Sequence, residues 1–387
     1  MSCRIIDLVR RELAVLRKHP IILAGTFGVV VFCCVFFLTF FNKGLPEKVP
    51  IGIVDMDQSY MSREIVRQIG ATRIGQSVHY DSFEEAHLAM GRGEVCGICL
   101  LPSGLYSGVN ANRRPTVSYY LNTLYYVGGS LAYKELVQVM NVVGGGVQRK
   151  ILYAKGFTEK AAMDMIQPVA IDTHQIGNAY TNYGYYITNV MLPGLFGMVI
   201  IIALIYALGI ELKNRKSREL LDMAGGSITR ALAGKLIEMT VIFCTLGIII
   251  VELLYRWMHF PIAGSIWNMH LGMFLFILAS EAIAIFLIGC LPIPRLALSV
   301  GALYSVLGLT LSGFTLPLEA MPVWFQGPAQ IFPLRHYFMF YTQEVIFGTG
   351  FAGWYKFAIY MLLFLLAPLP LLPRLKKAYK NQNFPID

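Results

Sequence analysis

Charged residues are scarce in this sequence. Asp, Glu, Lys and Arg make up 14% of its 387 residues, and 56% are hydrophobic, whereas soluble domains carry about 25% charged residues. The mean hydropathy is correspondingly high, at +0.57. This shortage of charge excludes an ordinary soluble domain and predicts an α-helical integral membrane protein.

The charges that are present are mostly basic and lie beside the apolar runs. The formal net charge is +9. The basic clusters comprise Arg4, Arg10, Arg11, Arg17 and Lys18, then Lys213, Arg215, Lys216, Arg218 and Arg230, and finally Arg374, Lys376, Lys377 and Lys380. Basic residues beside membrane spans mark cytoplasmic flanks. The charge therefore predicts two cytoplasmic termini and no nucleic-acid partner.

Catalytic motifs are also missing. Gly234-Lys235 is followed by Leu236, and Thr229 stands where a phosphate-binding loop needs its first glycine. The seven histidines are dispersed and lack the spacing of zinc ligands. We expect no catalytic, cofactor-binding or metal-binding residues in this chain. Energy for any transport must then come from another chain or an ion gradient.

The seven cysteines do not predict a redox centre. Cys96 and Cys99 have the spacing of a redox pair, but they lie in a predicted strand, where positions i and i+3 point to opposite faces. Asp55 and Asp57 follow another predicted strand without further ligands, which favours a turn or helix cap over a metal site. Four further cysteines lie in apolar runs and are predicted to be buried. They are Cys33, Cys34, Cys244 and Cys290.

Six apolar runs are predicted to span the membrane, and the first has about the length that a bilayer requires. The predicted spans are 21–41, 190–210, 229–254, 269–291, 296–310 and 354–372. Residues 1–20 form an amphipathic helix predicted to lie on the inner membrane surface. The first run is too long for a signal-peptide core and is expected to remain as an anchor. Spans two to six form a core at 188–373, followed by a basic cytoplasmic tail at 374–387.

Residues 42–187 form a polar insertion between the first two spans. The expected strands are 49–57, 95–101 and 116–121, and the expected helices are 60–69, 82–90 and 130–152. Strands that alternate with helices are typical of a small α/β domain. The fold class predicted is six transmembrane helices with an inserted extracytoplasmic α/β domain.

The stretch Leu311–Tyr337 is apolar but interrupted by helix breakers: Gly313, Pro317, Pro322, Gly327, Pro328 and Pro333. Broken backbone at membrane depth is tolerated where it is buried in protein or lines a wet cavity. We predict a re-entrant pair of short helices within 311–348, with Pro322 and Pro333 in their first turns. An extracytoplasmic loop with a surface helix is the alternative.

Glu281 lies near the middle of the fourth predicted span. An ionisable side chain at that depth is costly and is a functional candidate by default, here for the substrate path. The alternative is a protonated carboxyl bonded to a neighbouring helix through Ser280 or Ser299.

Four stretches carry a family resemblance. They are R-R-E-L-A-V-L-R-K-H-P (10–20), the segment from Glu211 through R-E-L-L (218–221) to Gly234-Lys235, I-G-I-V-D-M-D-Q-S (51–59) with the stretch 82–102, and S-G-F-T-L-P-L-E-A-M-P (312–322) with F-P-L-R-H-Y (332–337). Together they resemble the permease subunits of ABC-2 type ABC transporters, in the bacterial export branch with a large domain between the first two spans.

The resemblance implies an inner-membrane exporter subunit that moves a drug, lipid or lipid-linked molecule outward. Two permeases, identical or sister chains, would assemble with two ATP-binding subunits that hold ATP and Mg²⁺. Membrane lipid, a periplasmic adaptor and an outer-membrane channel are further expected partners. The resemblance makes 211–226 a coupling helix, with ATPase contacts at Glu211, Arg215, Arg218, Glu219, Leu220 and Leu221. It also implies an external gate at Gly313, Phe314, Pro317, Met321, Pro322, Pro333, Arg335, His336 and Tyr337.

Two other classes of protein remain as alternatives. A membrane receptor would use residues 42–187 to sense a ligand, but the sequence offers only short cytoplasmic segments as an output domain. An ion-coupled secondary carrier would use Glu281 as its coupling group, but such carriers usually show an internal repeat with broken helices in both halves. Broken backbone follows only the fifth predicted span.

Overall fold

A computed structural model describes residues 5–18, 20–42, 44–111, 113, 115–167, 172, 174–178 and 182–382. The chain forms two compact units. The membrane unit comprises Met1–Asn42 with Gln175–Asp387, and the inserted unit comprises Lys43–His174. Predictions for His19 and for residues 383–387 lie outside the described residues.

Helices alternate with strands in the inserted unit, whereas the described secondary structure of the membrane unit is helical. The helices are α1 (Ile5–Lys18), α2 (Pro20–Phe40), α3 (Tyr60–Ala71), α4 (Phe83–Gly91), α5 (Leu105–Asn110), α6 (Tyr126–Ala154), α7 (Glu159–Ile166), α8 (Tyr183–Lys213), α9 (Ser217–Met223), α10 (Ile228–Glu252), α11 (Ile266–Cys290), α12 (Pro294–Leu311), α13 (Val323–Gln326), α14 (Pro333–Tyr341), α15 (Phe351–Leu363) and α16 (Leu372–Asn381). The strands are β1 (Val49–Asp55), β2 (Gly75–His79), β3 (Gly97–Leu101) and β4 (Ser118–Leu121).

Six helical stretches of the described chain are long and apolar enough to cross a membrane, as predicted. They are α2, α8, α10 with its continuation to Trp257, α11, α12, and the stretch from α15 through α16. Most of α8 and α11 is buried, whereas only 22% of α12 is buried. The centre of the membrane unit is therefore the pair α8 and α11.

Small residues let α12 pack closely on α8. The buried positions of α12 are Ala297, Gly301, Ser305 and Gly308, one helical turn apart. A Cβ atom at Gly301 would lie 2.8 Å from a side-chain carbon of Ile205. Interfaces of this kind, with small residues every fourth position, allow close approach of membrane helices.

Two predicted span ends differ from the structure. The turn predicted at Pro292–Arg295 is shorter, because Pro294 begins α12, as proline at a first helical position can. The sixth span was predicted to run to 372, but α15 ends at Leu363 and two short 3₁₀ turns precede α16. The predicted boundary at 187 between insertion and core lies within α8.

The inserted unit contains, within its described residues, a four-stranded sheet in the order β2-β1-β3-β4. β1 pairs in parallel with β2 and β3, and β4 is antiparallel to β3. Ile51 and Ile53 face α3 and α6, whereas Val54 faces α4, as the alternation of a strand requires. β2 was not predicted, because G-Q-S-V-H contains one strong strand former.

Asp55 and Asp57 have the turn and helix-cap roles expected for them, and Cys96 and Cys99 are free thiols. Asp55 Oδ1 accepts hydrogen bonds from the backbone N–H groups of Asp57 and Gln58, at 3.0 and 2.9 Å. Asp57 Oδ2 accepts one from Tyr106 at 3.2 Å. Burial raises the pKa of the Cys99 thiol to about 12, which leaves it unreactive. The described residues contain no cluster of His, Cys, Asp or Glu suited to a metal ion.

Candidate functional site

The segment predicted as a coupling helix, 211–226, is divided between two helices. Glu211 and Leu212 belong to the last turn of α8, and α9 contains the R-E-L-L sequence. Gly225 and Gly226 follow α9 with φ of +64° and +74°, a conformation that glycine adopts readily and that ends helices.

Three of the six predicted coupling residues are exposed. Arg215, Arg218 and Glu219 are exposed, as are the nearby Lys213 and Lys216. Leu220 and Leu221 are only 1% and 4% exposed and belong to the core of the membrane unit. The two leucines therefore anchor α9 to its own chain, which revises their predicted role as anchors for a partner.

Helix α16 fixes α9 from the other side. Ser217 Oγ donates a hydrogen bond to the Tyr379 carbonyl at 3.0 Å, and the fully buried Tyr379 donates its hydroxyl to the Leu208 carbonyl at 3.3 Å. Gln382 Nε2 donates to the Arg215 carbonyl at 2.7 Å. Residues predicted as a basic tail thus form, up to Asn381, a helix that packs on α9.

Glu211 takes part in a buried ionic cluster, which consists of Arg11, Glu12, Glu211 and Lys235. Lys235 Nζ lies 2.6 Å from Glu12 Oε2 and 3.2 Å from Glu211 Oε1. Arg11 Nη2 lies 3.0 Å from Glu211 Oε2, and Arg11 also pairs with Glu12. The cluster joins α1, α8 and α10 and is electrically neutral. Glu211 is therefore held inside the chain and does not reach a partner surface.

The electrostatics of the cluster explain why Arg11 remains charged. Burial acts to lower the pKa of Arg11, but the hydrogen bonds and charges of Glu211 and Glu12 outweigh it and raise the pKa. Helix α1 also packs closely on α10 beside the cluster, since a Cβ atom at Gly234 would lie 2.7 Å from Leu8 Cβ. The adjacent Gly234 and Lys235 thus serve contact and charge, respectively.

Glu281 lies in α11 and bonds to a neighbouring helix, but through a residue that was not predicted. The Thr240 hydroxyl oxygen, on α10, lies 2.9 and 2.8 Å from the two carboxyl oxygens. Ser280 and Ser299 instead donate to carbonyls of their own helices, at Phe276 and Arg295.

Glu281 lines a groove that the second and fifth spans do not help to form. The groove has a volume of about 680 Å³ and is lined by α10, α11 and the segment from Leu365 to Leu372. No residue of α8 or α12 is among its described lining residues. Glu281 was predicted to share one substrate path with those spans, and in a single chain it faces a different side.

The predicted re-entrant segment consists of short turns and helices. Leu318–Ala320, α13 and Pro328–Ile331 precede α14, which begins at Pro333 as predicted. Pro322 was predicted inside a first helical turn and instead immediately precedes α13. Most positions between 315 and 331 are exposed, with Trp324 at 74%, and the segment is buried at Met321 and Ala329, so it contacts the membrane unit at separate points.

Hydrogen bonds to backbone carbonyls hold this segment in place. Arg335 Nη1 donates to the Ser312 carbonyl at 3.0 Å, and the Tyr186 hydroxyl donates to the Phe314 carbonyl at 3.0 Å. His336 Nε2 lies 2.8 Å from the Gln330 carbonyl. The Tyr304 hydroxyl bonds similarly to Ile331.

Most of the predicted gate residues are brought together by these contacts. Pro317 and Pro322 are exposed, and the buried members are Gly313, Phe314, Met321, Pro333, Arg335, His336 and Tyr337. Gly313 has φ of +91°, and a Cβ atom there would collide with the Arg335 guanidinium. Glycine is therefore required at this position for two reasons.

Sequence reasoning missed the ionic cluster and one further buried acid. Glu344 Oε1 accepts from the Ser265 N–H at 2.6 Å and from Asn268 Nδ2 at 2.9 Å. The alternation of charge along α1 and the acidic Glu211 at the end of a span were available signals for the cluster. Nothing local to Glu344 indicates its partners.

The six apolar helices and the buried polar contacts between them define a multi-pass membrane protein. A family model described as ABC-2 family transporter protein matches residues 20–372, which is most of the chain. The chain therefore belongs to this family and is an ABC-2 type transporter permease, a membrane component of a transporter. A search of curated proteins finds no match. Family membership implies a partner ATP-binding subunit.

Proposed function

We propose that the chain is the permease subunit of a bacterial inner-membrane exporter, driven by a separate ATP-binding subunit. Two permease chains, identical or sister chains, would pair with two ATPases that bind ATP and Mg²⁺. The observation that carries the proposal is the charged outer surface of α9. That surface lies on a helix fixed from within by Leu220 and Leu221.

The contacts of α9 support a role in transmitting force. Tyr379 links α16 to both α9 and α8, and the ionic cluster links α8 to α1 and α10. A displacement of α9 by a partner would therefore move the inner ends of several helices together. Buried ion pairs that join elements resist separation, because breaking one leaves an unpaired charge in the interior.

The proposed direction is outward, with both termini in the cytoplasm and the inserted unit on the external side. A hydrophobic or amphiphilic substrate is supported by apolar grooves such as the one beside Glu281. The external gate would consist of the segment from Gly313 to Tyr337, re-entrant in the membrane. The inserted unit would offer a surface for an adaptor and an outer-membrane channel.

The proposed coupling surface can be tested by co-purification with the ATP-binding subunit. We expect Arg218→Glu to abolish co-purification, because it reverses an exposed charge on α9 without touching the core. Arg256→Glu is the matched control, since Arg256 is 74% exposed and lies elsewhere on the chain. Unchanged recovery of the ATPase with Arg218→Glu would contradict the assignment of α9.

A further inference from the structure

A second open groove lies between the segment preceding α14 and the last span. Its volume is about 820 Å³, within the range of small-molecule sites. The polar residues at one end are Gln330, Arg335 and His336, and the remaining wall consists of Phe357, Tyr360, Leu363, Phe364, Leu366 and Ala367. The groove therefore combines a basic end with a long apolar side.

Arg335 is a buried cation without an ion pair in the described part of the chain. It is 7% exposed, and the one described hydrogen bond of its guanidinium goes to the uncharged Ser312 carbonyl. The exposed Glu319 acts on it electrostatically from beyond ion-pair distance. Arginine stays protonated in proteins and offers five N–H donors. Its charge must therefore be compensated from outside the described contacts.

Two other cations in the interior of the membrane unit have carboxylate partners. Arg11 and Lys235 each contact two carboxylates. Glu281 accepts from Thr240 and, unlike arginine, can become neutral by taking up a proton. Arg335, unlike Arg11 and Lys235, is thus a buried cation with no carboxylate partner among the described residues, which leaves room for an added anion.

The rest of the groove indicates what kind of anion fits. The His336 ring lies 5.2 Å from the Tyr360 ring and 5.7 Å from the Phe364 ring, measured between centroids. Tyr360, Leu363 and Leu366 are 43%, 52% and 58% exposed, so the apolar side is open to the surroundings of the chain. A small soluble anion would leave this wall uncovered.

We propose that this groove binds a phospholipid with an anionic headgroup. The phosphate accepts hydrogen bonds from the Arg335 guanidinium, and an acyl chain lies along the apolar wall formed by the last span. Guanidinium and phosphate match in geometry and charge. The proposal goes beyond the transport function, because binding requires neither the ATP-binding subunit nor turnover.

Lipid binding can be measured on the purified full-length chain by native mass spectrometry. Phosphatidylglycerol and phosphatidylcholine with the same acyl chains serve as probes. We expect phosphatidylglycerol to bind more tightly, and Arg335→Gln to weaken its binding about tenfold, because the variant loses a charge-assisted hydrogen bond to the phosphate. Arg256→Gln, the exposed control, should leave binding unchanged.

A second variant tests the contribution of the apolar wall independently of the charge on Arg335. Leu363→Trp adds bulk to the apolar wall and keeps Arg335, so it should also weaken phosphatidylglycerol binding. It decides the matter if Arg335→Gln does not fold. Excess inorganic phosphate should fail to displace the lipid. Equal binding of the two lipids, wild-type binding by Leu363→Trp, or displacement by phosphate would each overturn the proposal, and none of these bears on α9.

Discussion

Lys235 and Arg335 are both buried cations of the membrane unit, but their surroundings differ. Lys235 lies between Glu12 and Glu211, whereas Arg335 contacts a carbonyl oxygen and borders an open groove. The four charges of the cluster balance and the pocket beside it holds only about 20 Å³, which suits it to holding helices together. An uncompensated charge beside an open groove is suited to binding. The same residue class thus serves cohesion in one region and recognition in the other.

Removing Lys235 should have the largest effect on stability. Lys235→Met leaves Glu12 and Glu211 facing each other with Arg11 alone, and breaking a buried pair in this way costs about 3–5 kcal/mol. We expect a large drop in the midpoint of thermal unfolding, which can be measured by tryptophan fluorescence in detergent. Lys356→Met, at an exposed position, is the control. Equal midpoints for the two variants would show that the cluster does not hold α1 in place.

A smaller effect should follow from Gly234→Ala, which tests the contact beside the cluster. The added methyl would lie 2.7 Å from Leu8 Cβ, and overpacking of this kind costs about 1–3 kcal/mol. Gly28→Ala is the matched control, because nothing lies within 4 Å of its Cβ position. A stable Gly234→Ala protein would mean that α1 does not pack tightly on α10.

The smallest effect on stability is expected at Glu281. In Glu281→Gln the amide oxygen can still accept a hydrogen bond from Thr240, so the free energy of unfolding should change by less than about 1 kcal/mol. Transport should fall if the residue serves the substrate path, with expression unchanged. A loss of stability as large as that of Lys235→Met would instead identify Glu281 as a charged structural residue.

Local sequence rules predicted the membrane class, the six spans and the first-turn position of Pro333, because length, apolarity and proline geometry act over a few residues. Leu220 and Leu221 show where such rules stop. Their apolar spacing indicates a buried face, but the sequence does not say whether that face meets a partner or the same chain. The answer depends on α16, whose Tyr379 lies more than 150 positions away in sequence.

The ionic cluster was beyond local reasoning for the same reason. Lys235 Nζ and Glu12 Oε2 are 2.6 Å apart but separated by 223 positions. Arg335 was expected near the gate from a family resemblance, yet the absence of an ion pair to it among the described residues emerges only once the helices are packed. The sequence names the charged residues, and the packing decides which of them are neutralised.

The contrast between Lys235 and Arg335 is tested most directly by comparing the midpoint of thermal unfolding in phosphatidylglycerol with that in phosphatidylcholine. A ligand that binds the folded state raises stability as its concentration exceeds its dissociation constant. The wild-type chain and Arg256→Gln should gain stability in phosphatidylglycerol, and Arg335→Gln should not. An undiminished gain in Arg335→Gln would contradict the assignment of Arg335 to lipid recognition.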